Sequence, residues 1–331
     1  MISGDEPVPG AMLGHDAAWH EWRSALSSGR MHHAWLLLGA KGTGKGIFAR
    51  AAARELVTEP GVHQPQADAH PDIFVLEKLP DSEEDVKRRD QGKPYKTKRN
   101  ITIAQIREMQ RRLTTRPTLG SRRAIIVDPA DDMEKASANA LLKSLEEPPQ
   151  GTFFLLVASQ PGRLPPTIRS RCRSLRFSAL TPEEMDLILR REAPSADEQA
   201  RAAAIAAAQG SPASALAFVD QDLAPLHDLM QRITREGDPT FALRGLLADE
   251  VGARPARERL QAALDLARAT LAEDLASAGR KRQLLIIEAH GAITRLARQA
   301  PIYNFDAGLL VMEIGGLLAS AAIPREPSRT A

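Results

Sequence analysis

The segment GAKGTGKG at positions 39–46 constrains the fold more than any other part of the sequence. It follows the apolar run 34–38 and opens an alanine-rich stretch, so a strand, a tight turn and a helix come in that order. Backbone N–H groups of such a turn, backed by the N-terminus of a helix, bind phosphate groups. The sequence therefore predicts a phosphate loop. Its predicted nucleotide-binding residues are Gly39, Gly42, Gly44 and Lys45.

The last position of this loop departs from the pattern that binds a metal–nucleotide complex. A serine or threonine hydroxyl normally ligates magnesium there, and this chain has Gly46 instead. Glycine in the first turn of a helix also lowers the helix propensity. We expect a vestigial loop that requires no cofactor, leaves weak ATP or ADP binding open, and does not support hydrolysis.

Apolar strands alternate with helical segments through the first half of the chain. Near-continuous apolar runs stand at 34–38, 72–77, 124–127 and 151–159, and helical patterns separate them. Strands of this kind are typical of a mostly parallel sheet that helices cover on both faces. We therefore predict an α/β fold for this half.

The second half of the chain is helical in pattern throughout. Thr181 and Pro182 are typical of a helix N-cap and of the first helical position. No convincing strand follows them. The predicted domains are an α/β phosphate-loop domain at 1–180, a small helical lid at 181–222 and a larger all-α domain at 223–331.

Composition excludes several classes of protein. The chain has 331 residues, of which 43% are hydrophobic and 26% charged, and its formal net charge is +2. No apolar run approaches the roughly 20 residues that cross a bilayer, and the N-terminal segment lacks the features of a secretion signal. The single cysteine, Cys172, excludes an internal disulfide framework and a multi-thiolate metal site. We expect a cytoplasmic protein without a metal site or a membrane partner.

A strongly basic segment stands out against this near-neutral average. Residues 86–99 hold seven basic side chains and one acidic side chain, directly after the acidic run 81–85. Two interpretations stay open. The segment is either a solvated, mobile loop or a surface that contacts a phosphate backbone.

Asp128 ends the third apolar run, where a carboxylate of a magnesium–nucleotide site belongs. In hydrolysing relatives an acidic residue follows directly and polarises the attacking water, but here the next residue is Pro129. Asp131 and Asp132 come too late for that place, and we expect them to start the next helix, whose positive end favours carboxylates. The sequence thus predicts a binding remnant at Asp128 without a water-activating base.

The tripeptide Ser-Arg-Cys at 170–172 follows the proline-rich stretch 161–167. Two interpretations compete for Arg171. It is either an ordinary surface arginine or an arginine that stabilises phosphoryl-transfer charge on the nucleotide of a neighbouring subunit. For Cys172 we expect a small buried hydrophobe, because no histidine or aspartate pattern suggests a nucleophile.

Three stretches carry a resemblance to a known family: HHAWLLLGAKGTGKG, VDPADDMEKASANALLKSLEEPP and LPPTIRSRC. Together they resemble the bacterial clamp-loader branch of the AAA+ ATPases, and within it the delta-prime type of DNA polymerase III subunit. The string ANALLKSLEEPP followed by Ser-Arg-Cys is much more specific than the phosphate loop. The similarity is strong over residues 10–180 and weaker through GSPASAL at 210–216 into the C-terminal helices.

The resemblance implies an AAA+ module, a helical lid and a helical collar, assembled in a ring that loads the sliding clamp onto primed DNA. The implied partners are ATPase subunits of the gamma/tau type, the delta subunit, the sliding clamp indirectly, and primer-template DNA. It also implies that Arg171 is the finger aimed at ATP in the adjacent motor subunit. Motor subunits carry a lid arginine where this chain has Ala213. They also hold a zinc ion with four cysteines, whereas the corresponding segment here offers only His63 and His70, and two lone histidines make no zinc site.

Three features needed for hydrolysis are absent, at Gly46, Pro129 and Ala213, whereas Arg171 is present. The leading hypothesis is therefore a non-hydrolysing clamp-loader subunit, not an enzyme on its own, that completes the active site of a neighbour. The alternative is an ATP-hydrolysing motor subunit of the gamma/tau type, which steady-state ATPase measurements on the chain would reveal. A third hypothesis, a small-molecule phosphate-loop kinase, finds no support in the long helical half.

Overall fold

A parallel sheet of five strands lies at the centre of the first half of the molecule. In the computed structural model the strands are β1 Ala34–Gly39, β2 Ile73–Leu76, β3 Arg123–Val127, β4 Thr152–Ala158 and β5 Arg173–Phe177. Every neighbouring pair is parallel, in the order β2-β3-β4-β1-β5. The prediction of an α/β fold with a mostly parallel sheet is confirmed.

The structure describes residues 13–63, 65, 70–275, 277–300, 303 and 305–322. The chain divides into two compact units, Met1–Ala179 and Leu180–Ala331. In the first unit the helices are α1 Asp16–Ser27, α2 Lys45–Val57, α3 Glu83–Asp90, α4 Ile103–Arg112, α5 Lys135–Glu146 and α6 Pro166–Arg169. Single 3₁₀ turns occupy Ala130–Asp132 and Pro161–Arg163.

Successive strand residues face opposite sides of the sheet, and each side has its own core. On one side Leu36 packs in a cluster with residues of α4 and α5, among them Met109 and Leu141. On the other side Trp35 packs with residues of α1 and α2, including Trp22, whose ring contacts that of Trp35 edge to face at 5.4 Å. Because both faces are buried at the centre of the sheet, β1, β3 and β4 are near-continuous apolar runs, whereas the edge strand β5 exposes Arg173 and Arg176.

The second unit is built from helices in its described part. They are α7 Pro182–Glu192, α8 Glu198–Ala208, α9 Pro212–Asp220, α10 Ala224–Glu236, α11 Ala242–Val251, α12 Arg257–Leu275, α13 Arg280–Gln299 and α14 Ala307–Ser320. The Thr181 side chain accepts the N–H of Glu184 at 3.3 Å, and the Glu184 carboxylate accepts the N–H of Thr181 at 2.8 Å. This reciprocal cap confirms the predicted start of α7.

The predicted division between lid and collar, at 222 and 223, falls in the turn between α9 and α10. That division stays a prediction, since the two segments belong to one compact unit. Across the described helices, none combines the length and the apolar character needed to cross a membrane.

The basic segment at 86–99 is not a loop throughout. Its first residues complete α3, and Pro80 and Thr97 form an antiparallel bridge that closes the segment into a hairpin-like arm. The expectation of a loop is therefore wrong for this part of the chain. The helix had no apolar periodicity to reveal it, but its acidic first turn and basic last turn match the helix dipole.

Candidate functional site

The predicted phosphate loop lies between β1 and α2, at the edge of the sheet where the parallel strands end. Gly42 and Gly44 have φ angles of 80° and 88°, in the left-handed region that favours glycine. A Cβ atom at Gly39 would lie 2.4 Å from the carbonyl oxygen of Phe177 in β5. The sequence folds into this loop because only glycine fits at these three places.

Lys45 turns back onto the loop that carries it. Its side chain is buried, with a residue exposure of 4%. The ammonium donates to the carbonyl oxygen of Gly39 at 2.9 Å and to that of Ala40 at 2.5 Å. Burial lowers the pKa of Lys45, and the nearby carboxylates of Asp128 and Asp131 oppose that shift. The cation that a nucleotide would need is thus satisfied by backbone oxygens of its own loop.

A second side chain closes the loop from outside the predicted motif. The Nε2 atom of His15 lies 2.7 Å from the carbonyl oxygen of Thr43, and the His15 ring contacts the Phe177 ring edge to face at 4.9 Å. The Thr43 hydroxyl donates to the carbonyl of Ala40 at 2.9 Å. Sequence reasoning missed His15, because a histidine so far from the loop carries no local signal of this contact.

Gly46 and Asp128 lie directly against each other. A Cβ atom at Gly46 would stand 2.4 Å from Oδ2 of Asp128 and 3.5 Å from its carboxyl carbon. The carboxylate therefore occupies the space in which a serine or threonine side chain would begin. Burial raises the pKa of Asp128, Arg50 and Lys45 lower it, and Glu77 and Asp131 add to the rise. A magnesium site needs both a hydroxyl and a carboxylate facing the ion, and here the two groups cannot coexist without movement.

The two later aspartates are engaged in structural contacts. Asp131 is buried, and its Oδ2 accepts the N–H groups of the two residues that follow β4, at 3.0 and 2.6 Å. Asp132 pairs with Lys78 and, at 2.7 Å, with Arg163. Both lie in a 3₁₀ turn, and α5 begins only at Lys135. The expectation that they start the next helix is wrong, and their contacts join neighbouring loops at the sheet edge.

Arg171 lies in the turn between α6 and β5. Its Nη2 atom pairs with Oε1 of Glu146 at 2.6 Å, and its Nη1 atom donates to the carbonyl of Thr167 at 2.9 Å. The Arg171 side chain is 36% exposed and that of Glu146 is 48% exposed. The guanidinium therefore stands at the surface, held by the last residue of α5 through an ion pair that the sequence did not suggest.

A family model described as "DNA polymerase III, delta subunit" matches residues 14–181, more than half of the 331 residues. A curated relative, the DNA polymerase III subunit delta' of Escherichia coli (strain K12), is 30% identical over 223 residues. The chain belongs to the DNA polymerase III delta-prime family. That alignment covers 62% of this chain and 62% of the relative, so the match spans less than two-thirds of the relative's length.

Other proteins similar to this delta-prime family member also carry DNA polymerase III names. The DNA polymerase III subunit tau of Escherichia coli (strain K12) is 30% identical over 210 residues, which are 61% of this chain and 31% of tau. The solved structure of a DNA polymerase III gamma subunit-related protein from Thermotoga maritima aligns with 90% of this chain and 98% of its own at 18% identity and a TM-score of 0.48. The fold is an α/β module with a parallel sheet, followed by a helical C-terminal part.

Cys172 of the delta-prime chain packs against the core cluster of α4 and α5. Burial raises the pKa of its thiol to about 12, so the thiolate that a nucleophile requires does not form near neutral pH. The interpretation as a small hydrophobe fits this environment.

Three further positions singled out in the sequence are Ala213, His63 and His70. Ala213 stands in the first turn of α9 and brings no charge. His70 is buried and its Nδ1 accepts the N–H of Asp72 at 3.1 Å, whereas His63 is exposed. Much of the segment between the two histidines lies outside the described residues. Among the residues that are described, no group of histidine, cysteine and carboxylate side chains is arranged to hold a metal ion.

Proposed function

We propose that this chain is a non-hydrolysing, delta-prime-type subunit of the DNA polymerase III clamp loader. In this role it helps to load the sliding clamp onto primed DNA during replication, and Arg171 acts as an arginine finger on ATP bound by a neighbouring ATPase subunit. The proposed partners are gamma/tau-type subunits, a delta subunit, the sliding clamp indirectly, and primer-template DNA. The proposed compartment is the cytoplasm.

One observation carries the proposal: the Asp128 carboxylate takes the place of a magnesium-binding hydroxyl beside Gly46. Restoring that hydroxyl requires Oδ2, the free end of the Asp128 side chain, to shift, so the packing of Asp128 matches the glycine at 46. Lys45 also supports the proposal, since its ammonium is bound to carbonyl oxygens of its own loop. Such a site lacks the hydroxyl ligand of the metal that hydrolysis requires, and weak nucleotide binding stays open.

Arg171 is exposed at the surface, whereas Lys45 is buried, and this exposure supports the action of Arg171 on another subunit. An exposed ion pair contributes about 0–1 kcal/mol, so Glu146 can yield the guanidinium to a stronger anion at low cost. The phosphates of a neighbour's ATP are such an anion, since arginine binds phosphate oxygens through two parallel hydrogen bonds. Glu146 then serves as the resting partner of Arg171 in the unassembled chain.

A gamma/tau-type ATP-hydrolysing motor is the second candidate. The alignment with tau over 61% of the chain favours it, as does the retained phosphate-loop backbone with Gly42 and Gly44. Pro129 and Ala213 oppose it, because neither can supply a base or a cation to bound ATP. Steady-state ATPase of the purified chain separates the two. Turnover at the rate of a motor subunit, abolished by Lys45→Ala, would replace the first proposal by the second.

The direct test is Arg171→Ala in a reconstituted clamp loader. Arginine fingers contribute about 10³–10⁵ in rate, so turnover at the neighbouring site should be lost, and DNA-stimulated ATPase of the whole loader should fall by that site's share. Arg169→Ala is the matched control, because Arg169 is an exposed arginine at the end of α6. Melting curves and gel filtration verify folding and assembly. Equal ATPase in the Arg171→Ala and Arg169→Ala loaders would remove the finger from the proposal.

A further inference from the structure

The connection from β2 to α4 presents an unusual density of positive charge. We name residues 78–99 the basic arm. From 86 to 99 the arm has seven basic side chains and one acidic side chain, and residues 87–99 are all exposed. The basic residues are Lys87, Arg88, Arg89, Lys93, Lys96, Lys98 and Arg99. Neither the phosphate loop nor Arg171 uses this surface.

The arm has a fixed shape, which distinguishes it from a solvated tail. The Asp85 carboxylate is its anchor: it accepts the Ser82 hydroxyl at 2.6 Å and the N–H of Lys96 at 2.8 Å. The N–H of Lys98 donates to the carbonyl of Leu79 at 2.7 Å. These contacts hold the two limbs of the arm together, so its charges are already in place and little ordering entropy remains to be lost on binding.

Few of these cations form ion pairs within the chain. Arg89 pairs with its neighbour Asp90 at 2.9 Å, and the Arg88 guanidinium donates to the carbonyl of Pro94 at 2.8 Å. Within the described residues, no salt bridge involves Lys93 or Lys98. Like charges held together at a surface repel one another, and an anionic partner relieves that repulsion.

An exposed aromatic ring lies among these cations. Tyr95 is 38% exposed and stands between Lys93 and Lys96 in the chain. Surfaces that bind single-stranded nucleic acid combine cations for the phosphates with aromatic rings on which bases stack. A duplex offers its phosphates but keeps its bases stacked within the helix, so it would leave the Tyr95 ring unused.

We propose that the basic arm binds single-stranded DNA. Lys93, Lys96 and Lys98 contact phosphates, and the ring of Tyr95 stacks on a base. The proposal goes beyond the role of Arg171, because it assigns a DNA contact to a surface that takes no part in ATP hydrolysis. It is tested on the full chain without ATP or partner subunits, so its failure and that of the arginine finger are distinguishable.

The phosphate contacts are tested by salt dependence. Binding of a labelled oligothymidine, longer than the roughly 4–16 nucleotides of a single-strand site, is followed by fluorescence anisotropy over a series of salt concentrations. Each phosphate contact contributes about −0.7 to the slope of log K against log salt for a single strand. The triple variant K93A/K96A/K98A should therefore lose about 2 from the magnitude of that slope. The control R254A/R257A/K281A, which removes three exposed cations elsewhere, should keep the slope.

The stacking contact is tested at one low salt concentration. Tyr95→Ala should weaken binding by about fivefold or more, whereas Tyr95→Phe retains the ring and should bind as the wild type does. A duplex of equal length should bind the wild type more weakly than the single strand does. Its affinity for Tyr95→Ala should equal its affinity for the wild type. The proposal is overturned if the triple variant keeps the wild-type slope, if the duplex binds more tightly than the single strand, or if an acidic peptide binds the arm and DNA does not.

Discussion

Lys45 and Arg171 are the two cations that this chain would direct at a nucleotide, and their surroundings are opposite. Lys45 is 4% exposed and bound to carbonyl oxygens of its own loop. Arg171 has a side chain that is 36% exposed and pairs with the half-exposed carboxylate of Glu146. Lys45 packs within its own loop, whereas Arg171 is held by a half-exposed ion pair.

The difference teaches which residues of a phosphate loop also have a structural use. Gly39, Gly42 and Gly44 are required by close packing and by left-handed backbone, whether or not a nucleotide binds. Lys45 supplies donors to the loop carbonyls, so it too has a structural use. Under the proposed function, a motif remains recognisable in the sequence because its residues are needed for folding, and the departure at Gly46 affects only the metal site.

The largest expected effect concerns the loop. Gly46→Ser restores the missing hydroxyl, but its Cβ meets Oδ2 of Asp128 at 2.4 Å. We expect a loss of stability of about 1–3 kcal/mol from this overpacking, measured by chemical denaturation, and no gain in ATP hydrolysis. In the Asp128→Ala background the same substitution should be neutral or stabilising, because the obstacle is absent and serine has the higher helix propensity.

Gly162→Ser is the matched control, since a Cβ at Gly162 has no heavy atom within 4 Å. It should change stability by less than about 0.5 kcal/mol. If Gly46→Ser instead hydrolysed ATP at full stability, a single substitution would be enough to make the loop active. The proposed contrast between an inactive loop and a functional Arg171 would then be wrong.

The second prediction concerns the resting partner of Arg171. Glu146→Gln removes an exposed ion pair, so the melting temperature should change by the equivalent of about 1 kcal/mol or less. ATPase of the reconstituted loader should stay within about twofold of wild type, since a twofold change in rate corresponds to well under 1 kcal/mol.

A large loss of loader activity in Glu146→Gln would contradict this prediction. It would mean that Glu146 positions the guanidinium for catalysis rather than holding it at rest. Glu147→Gln is the control, because Glu147 is the next residue and no ion pair in the described residues uses it.

The fold could be predicted well wherever apolar periodicity decides it. The four long apolar runs became strands because their side chains are buried on both sheet faces. The start of α7 followed from the local chemistry of Thr181 and Pro182. Helix α3 escaped prediction, since it is polar all round and depends on its Ser82 cap and on its charge order rather than on a core.

Only the backbone arrangement of the candidate site could be predicted from the sequence, and its side-chain contacts could not. Parallel strands end at one edge of the sheet, so the approach of Asp128 to the loop could be expected from the strand pattern. The partners of His15, Asp131 and Arg171 could not be, because each contact joins segments that are distant in sequence and depends on how loops meet at the surface. Such contacts have no periodicity to reveal them.

The smallest expected effect is the pH dependence that Asp128 adds to stability. Burial raises the pKa of Asp128 in the folded chain above its unfolded value, so between the two values the folded state holds a proton that the unfolded state has lost. Its contribution is fully present in acid and is lost as the pH rises through the folded pKa. An asparagine side chain does not ionise, so Asp128→Asn should match wild type in acid and be more stable than wild type at neutral pH. Thermal melts across this range measure the difference, with Asp220→Asn, at an exposed aspartate, as the control. A variant less stable than wild type at neutral pH would mean that the ionised carboxylate stabilises the loop through Lys45 and Arg50, and the loop would then retain the charge balance of a working site.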